Sequence, residues 1–270
     1  MIEFRELTTK MEMREVQRLE YRVWGMNPIP THQTMTAVKN GGIMLGVLDD
    51  GELVGFSYGF VGFHAGRSYL CSHMMGLDEA YRSQGLGEQL KQKQREIALQ
   101  KGYKLITWTF DPLEARNAYL NITKLRGVCD TYIDNCYGDM TDKWNKGLPT
   151  DRLEVHWHIQ QPYVEKGISI AADEAVELNN CVRKENSYSV NQDRKMDCLE
   201  AETFAVHIPN QFQQLKQQYP ERALEWRLAV RTYFKKLFQM GYVAVELKRG
   251  QWKSTYYFVK KERLEWKDEG

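Results

Sequence analysis

The stretch GLDEAYRSQGLGEQLKQKQ, Gly76 to Gln94, decides how this chain is read. Before it, the apolar run YLCSHMMGL (Tyr69 to Leu77) reads as a buried strand, and it stops at Asp78-Glu79. A turn follows that carries Arg82 and is spaced by Gly85 and Gly87. The chain then enters a charged, helix-forming segment, Glu88 to Gln100, with Leu86, Leu90, Ile97 and Ala98 inward and Gly102 at its end. Such a junction points several backbone N–H groups at one spot. The first helical turn has about four donors without intrahelical partners. The helix dipole adds roughly half a positive charge, and glycine lets an anion approach the backbone. The result is a phosphate cradle.

Outward from this stretch, IEFREL (Ile2 to Leu7) alternates like a half-buried strand. Thr9 and Glu12 form a capping box ahead of Met13, Val16, Leu19 and Val23, with Gly25 as the stop. A short polar helix is expected over Gln33 to Lys39. Asp50-Gly51 between two alternating apolar runs predicts a hairpin. A third strand, Tyr69 to Leu77, is expected after the polar link HAGRS. Downstream, Lys104 to Phe110 reads as a strand, Glu114 to Leu125 as a helix, and Thr131 to Tyr137 and Leu153 to Ile159 as strands. The polar stretch from Gln160 to Gly167 looks like a boundary, so domains are expected at 1–162 and 163–270. Beyond it, LEAETFAVHIP, GYVAVELK and TYYFVKK read as strands, and Trp226, Val230, Tyr233 and Leu237 mark a long helix. EIALQKGYKLITWTF and KKLFQMGYVAVELKR share the order helix, Gly-Tyr, strand, which raises the reading of the tail as a degenerate half-repeat; chance is the alternative.

The 270 residues suffice for one large domain or two small ones. With 37 basic and 36 acidic side chains the chain is near neutral, which argues against a general nucleic-acid binder. No apolar run approaches the roughly 18–20 residues that cross a bilayer, and MIEFREL is unlike a secretory signal. Five scattered cysteines (Cys71, Cys129, Cys136, Cys181 and Cys198) indicate neither a disulfide framework nor a zinc site. His64, His156, His158 and His207 lack metal-ligand spacing, so no metal is expected. A reducing cytoplasm is the simplest location, without nucleic-acid or membrane partners; the sequence leaves a homodimer open.

Two familiar phosphate motifs, the P-loop and the Rossmann glycine fingerprint, are missing. What stands here is R-x-x-G-x-G, Arg82 to Gly87. With its strand before and helix and strand after, the sequence resembles the GNAT superfamily of acyl-CoA N-acyltransferases, whose coenzyme signature is [QR]-x-x-G-x-[GA] at this junction. Glu79 replaces the usual proline. The resemblance covers Ile2 to about Gln160. TFDPLEARNAYLNITKLRG and LPTDRLEVHW look like a bacterial branch with a C-terminal extension, some relatives of which are associated with N-succinylation of amino acids. It implies an α+β fold: a mixed, mostly antiparallel central sheet flanked by helices, plus a smaller α+β C-terminal region.

The resemblance also implies chemistry. The donor would be acetyl-CoA or another acyl-CoA such as succinyl-CoA, and the acceptor a small-molecule amine. The pyrophosphate would lie on the amides of Gln84, Gly85, Leu86 and Gly87 beside Arg82, whose alternative is a surface pair with Glu79 or Asp78. The pantetheine would lie along Cys71 to Leu77, which splays from the next strand at a bulge that Gly76 suits. An N–H near Met75 to Leu77 would face the thioester oxygen, a donor worth about 3–4 kcal/mol in related sites. His73, read as sharing a strand face with Cys71 and Met75, is the candidate base, with Asp78, Glu79 and Asp111 competing and a sheet histidine as the plainer role. Where the superfamily's tyrosine acid is expected stand Ile122 and Thr123; Tyr119 and Asn121 are nearby, and Asn117 and Asn121 could bond the pantetheine instead. Arg116, Lys124 and Arg152 are candidate anion partners, Arg152 foremost because it follows GLPTD near the acceptor side; a solvated surface charge is the plainer reading of each.

Overall fold

The computed structural model describes residues 1–138, 140, 146–168, 174–184, 187–191 and 200–266. Cys198 and Leu199, the first residue of LEAETFAVHIP, lie outside them. The chain is α+β and forms two compact units, residues 1–108 with 158–160, and residues 109–157 with 161–270. That division differs from the sequence boundary near residue 162.

The first unit begins with strand β1 (Ile2–Glu6) and helix α1 (Lys10–Trp24). Thr9 caps α1 and Glu12 closes the capping box, while Gly25 ends the helix at φ +68°. Glu12 accepts from the Thr8 and Thr9 amides and pairs with Arg5. Burial pushes its carboxyl up, but Arg5 and these amides outweigh that and hold it at about 2. A group depressed on folding stabilises above its unfolded pKa and loses that contribution as pH falls through the folded one. Glu12→Ala is therefore expected to cost about 1 kcal/mol near neutrality, and the loss should fade as pH drops below the usual carboxylate range towards about 2. Urea denaturation of both proteins over that range checks it.

Helix α2 (Thr31–Lys39) precedes β2 (Ile43–Asp49), β3 (Glu52–His64) and β4 (Arg67–Leu77). Asp50 and Gly51 both take positive φ, +47° and +88°, as a two-residue hairpin turn requires. The link HAGRS is a second such turn: Ala65 and Gly66 are at +49° and +78°, and His64 pairs directly with Arg67. Helix α3 (Leu86–Gln100) and β5 (Leu105–Phe110) follow. Strands β1 to β4 pair antiparallel in chain order, and β4 pairs with β5 in parallel. On one face of this sheet Phe56, Tyr58 and Met74 pack with Met13, Val16 and Leu19 of α1. On the other, Ser57 and Ser72 meet Gln94 of α3. Each fully buried aliphatic or aromatic side chain contributes roughly 1.5–3 kcal/mol. Ile159 returns to this unit: its N–H donates to Lys104 and its carbonyl accepts from Arg95.

The second unit has strands β6 (Val128–Ile133) and β7 (Arg152–His158), two-residue β8 (Val176–Glu177), hairpin β9 (Asn180–Lys184) and β10 (Ser187–Asn191), and β11 (Thr203–Pro209), β12 (Tyr242–Arg249) and β13 (Lys253–Lys260). The sheet order is β7-β6-β12-β13-β11-β8. Its helices are α4 (Ala115–Ala118), α5 (Pro162–Lys166), α6 (Phe212–Gln218) and α7 (Pro220–Gln239). The helix expected over Glu114 to Leu125 splits: after α4 the backbone opens into a π turn over Tyr119–Lys124. The strand expected over Thr131 to Tyr137 starts and ends earlier, because Asn135 turns the chain at φ +43°. The helix–Gly–strand echo is conformational too, with Gly102 at +85° after α3 and Gly241 at +80° after α7. The likeness stops there, since β13 separates β11 from β12 whereas β4 and β5 are neighbours.

Phe204, Trp226, Phe234, Tyr256 and Phe258 fill this unit's core. Beside them Arg227, 2% exposed, clamps Asp111 through Nη1 and Nη2 at 2.8 and 2.5 Å. Arg231 clamps Asp151 through Nε and Nη2 at 2.9 and 2.7 Å, and Tyr132 donates to Asp151 at 2.7 Å.

Candidate active site

The turn after β4 leads into the N-terminus of α3. Asp78 caps a short 3-10 turn, Glu79–Tyr81, by accepting from the Ala80 amide. Gly85, at φ +81°, is the N-cap of α3 and supplies no side-chain cap. Its carbonyl accepts from the Glu88 and Gln89 amides. Among the described residues, no protein acceptor takes the N–H groups of Gln84, Gly85, Leu86 or Gly87. The space is open: a Cβ built on Gly85 would meet only the Gln89 Nε2, at 3.8 Å. Arg82 donates Nε to the Leu77 carbonyl at 3.1 Å, which fixes its stem beside the turn. Among the described residues it pairs with neither Glu79 nor Asp78; Asp78 instead lies 3.5 Å from Arg22. Four amides at a helix N-terminus with a guanidinium beside them form a donor set that suits a diphosphate, and the residues present fit the coenzyme's charged end.

Upstream of the cradle, β4 carries a bulge. Ser72 pairs with Gly59 and Met74 with Tyr58, so His73 is the extra residue. The bulge expected at Gly76 is thus three residues earlier. Gly76 pairs regularly with Phe56 and serves packing: a Cβ there would lie 3.0 Å from both Phe56 and Trp24. The extra residue also breaks the period of two. Met75 and Leu77 fall on the α3 side with Ser72, while Cys71 falls on the α1 side. His73 therefore does not share a face with Met75. His73 is exposed at the surface, but its ring sits 5.6 Å from Phe60 and 6.3 Å from Tyr58, and the water these rings displace lowers its pKa, leaving the imidazole neutral near pH 7.

Strands β4 and β5 pair only at Leu70–Ile106 and Cys71–Thr107. From Ser72 onward β4 has no strand partner on that edge among the described residues, which leaves a fork. Beneath it Lys91, 3% exposed, donates Nζ to Ser72 Oγ at 2.7 Å and to Gln94 Oε1 at 3.3 Å, and lies 3.7 Å from the Trp108 ring centroid. Gln94 Nε2 donates to Ser57 Oγ at 2.8 Å. Burial lowers Lys91 to about 7. Sequence reasoning missed this network, although a signal was present: Lys91 and Gln94 occupy inward positions of the Leu86, Leu90, Ile97 stripe.

His73, Met75, Leu77, Arg82, Gln84, Gly85, Leu86 and Gly87 are brought together along one strand and its turn in the first unit. Asn117, Tyr119, Asn121 and Arg152 belong to the second. Asn117 is exposed, and the Tyr119 ring lies 5.8 Å from the Arg249 guanidinium. Asn121 is buried, and its carbonyl takes the Gly127 amide. Ile122 is buried, and Thr123 Oγ1 exchanges hydrogen bonds with the backbone of Leu247. Arg152, 8% exposed, donates to the Asp151 carbonyl and lies 3.9 Å from Asp111. Asp111 is held by Arg227, which argues against it as a free base. Among the described residues no helix is long and apolar enough to cross a membrane, and no group of metal-ligating side chains occurs.

Residues 9–121 match the model of the Acetyltransferase (GNAT) family. That segment, less than half of the chain, is similar to the GNAT family. Solved structures similar to the chain include the ribosomal-protein-S18-alanine N-acetyltransferase from Escherichia coli, with 16% identity, TM-score 0.48, and 59% of this chain and 94% of that one covered. An N-acetyltransferase from Staphylococcus aureus Mu50 gives 16% identity and TM-score 0.47, with 59% and 99% covered. A GNAT-family acetyltransferase from Streptococcus pneumoniae gives 13% and 0.47, with 58% and 98% covered. All three likenesses stay under a TM-score of 0.5 and carry no argument. Comparison with curated protein sequences gives no match.

Proposed function

We propose that this protein is an acyl-CoA-dependent N-acyltransferase that moves an acetyl or succinyl group to the amine of a small molecule such as an amino acid. The observation that carries this reading is the open cradle, Arg82 to Gly87, at the end of a strand that forks from its neighbour, inside the segment that matches the GNAT family. The proposed catalytic domain spans residues 1–162. Cys71, Cys129, Cys136 and Cys181 are free thiols, which suits the cytoplasm as the proposed location.

The bound coenzyme supplies an activated acyl group as its thioester. The chain's own residues do the rest. The Gln84 to Gly87 amides and Arg82 hold the diphosphate. The open edge of β4, around Met75 and Leu77, offers backbone groups to the pantetheine and to the carbonyl oxygen. His73 Nδ1 or Nε2, neutral near pH 7, receives the proton that an amine must lose before it attacks. Arg152 is the proposed partner of a carboxylate on the donor or acceptor, and Asn117, Tyr119 and Asn121 are proposed to line the coenzyme's thiol end. Arg152→Ala should reduce the preference for a carboxylate-bearing substrate about tenfold, some 1.4 kcal/mol. Competition assays with acetyl- and succinyl-CoA read this, and an unchanged ratio removes the role.

The second reading is a coenzyme-binding regulatory module without catalysis. It is favoured by Ile122 and Thr123, which stand where the family places its tyrosine and are both engaged in packing or backbone bonds. Coenzyme release measured with both donors against an amino-acid panel separates the two. Turnover on any amine supports the transferase; tight binding without turnover supports the module.

A further inference from the structure

Lys91 is a buried amine with no counter-ion among the described residues. Its Nζ lies within 4 Å of no carboxylate among the described residues. Its neighbours are neutral: Ser72 Oγ on β4, Gln94 on its own helix, Ser57 on β3 through Gln94, and the Trp108 ring on β5. The titratable group whose charge bears on it is the Cys71 thiol, the residue before Ser72 on β4 and on the opposite face of that strand. A buried cation costs several kcal/mol unless something answers its charge, and a methionine would fill this site without that cost. The position is specific as well. Ser72 is the first residue of β4 beyond the last β4–β5 pair, and Trp108 is the first residue of β5 beyond it. The amine therefore sits under the vertex of the fork, tied to β4 by one contact and to β5 by another.

We propose that Lys91 is the cation of the acyl-transfer site and stabilises, from beneath the fork, the sulfur anion released when the thioester is cleaved. This rests on the transferase reading above and deepens it. In the transfer, the acceptor nitrogen's lone pair forms the C–N bond. The C–S bond breaks with its electron pair on sulfur, and the nitrogen's surplus proton goes to His73 and then to solvent. Atoms and charge balance without a proton from Lys91; its ammonium offsets the new negative charge. Burial holds Nζ near a pKa of about 7 in the free protein, and an anion at the fork raises it, so binding draws a proton onto the amine. This role fits the lack of a free acid at Ile122 and Thr123.

The test uses coenzyme A bound to the full-length protein, with the thiolate followed by its ultraviolet absorbance as pH is raised. A free thiol titrates at about 8.5. In the wild-type complex the thiolate is expected to form at least one pH unit lower, a tenfold shift in the equilibrium. Lys91→Met should return it to the free value, and Lys91→Arg should keep it low. Titration of the uncomplexed protein and of a Cys71→Ser complex assigns the signal to the coenzyme rather than to Cys71. With an active donor and amine, Lys91→Met should lower kcat about 100-fold with KM for the donor little changed. A low thiol pKa that persists in Lys91→Met, or an ordinary one in the wild type, overturns the inference while leaving the transferase reading intact. Failure of the wild type to bind coenzyme A at all overturns both. Should Lys91→Met not fold, Lys91→Gln, which keeps a donor to Ser72 but no charge, gives the same discrimination.

Discussion

Gly85→Glu is expected to abolish coenzyme A binding while the protein stays folded. Gly85 is solvent-exposed, and the new Cβ would meet nothing closer than 3.8 Å, so no clash arises. Its φ of +81° costs an L residue roughly 1–2 kcal/mol, which a domain of this size can absorb. The larger effect is electrostatic. A carboxylate is placed at the first turn of α3, among four amides that would otherwise face a diphosphate, and it either fills them or repels the ligand. The affinity should fall at least about 100-fold, or ~2.8 kcal/mol. Isothermal calorimetry checks this beside a thermal melt, with Gly85→Ala as the control that keeps the backbone strain and omits the charge. An affinity unchanged in Gly85→Glu removes the cradle assignment and, with it, the transferase proposal.

The largest stability effect should come from Arg227→Met in the second unit. Arg227 is almost fully buried and clamps Asp111 through two nitrogens, and its Nε is buried without an acceptor among the described residues. Removing the guanidinium leaves the Asp111 carboxylate, itself little exposed, without its clamp. Breaking one side of such a pair costs about 3–5 kcal/mol. Desolvation of both partners offsets much of the pair's own attraction, so the loss measures the stranded charge rather than the bond. Asp111→Asn combined with Arg227→Met should therefore recover much of the stability. Urea denaturation of the two single variants and the double variant reads this out, and additive losses would refute the account.

Local signals were the most legible in the sequence. The capping box Thr9–Glu12, the Asp50-Gly51 turn and the glycine-ended helices act over a few residues and need no tertiary partner. The order of strand, glycine turn and helix from Arg67 to Gln100 was legible for the same reason, since these elements follow one another along the chain. The bulge at His73 was not, because it is a mismatch in count between two paired strands and appears only when β3 is laid against β4. Nor was the break of the Glu114 to Leu125 helix into a π turn, which coincides with Thr123 bonding the backbone of Leu247, more than a hundred residues away. Lys91 shows a third kind of failure. A lysine among charged neighbours on a helix reads as solvated, although its place on the Leu86, Leu90, Ile97 stripe already turns it towards the sheet beneath α3.

The additional residue in β4 has an evolutionary corollary. Deleting His73 would restore an unbroken zigzag and leave Met74 to Leu77 looking to the sides they look to now, because Met74 already stands opposite Tyr58, the chain neighbour of Gly59. Relatives that lack the additional residue should therefore keep the same faces, with the downstream positions counted one lower. An alignment that places the gap away from His73 would match residues that look to opposite sides of the sheet.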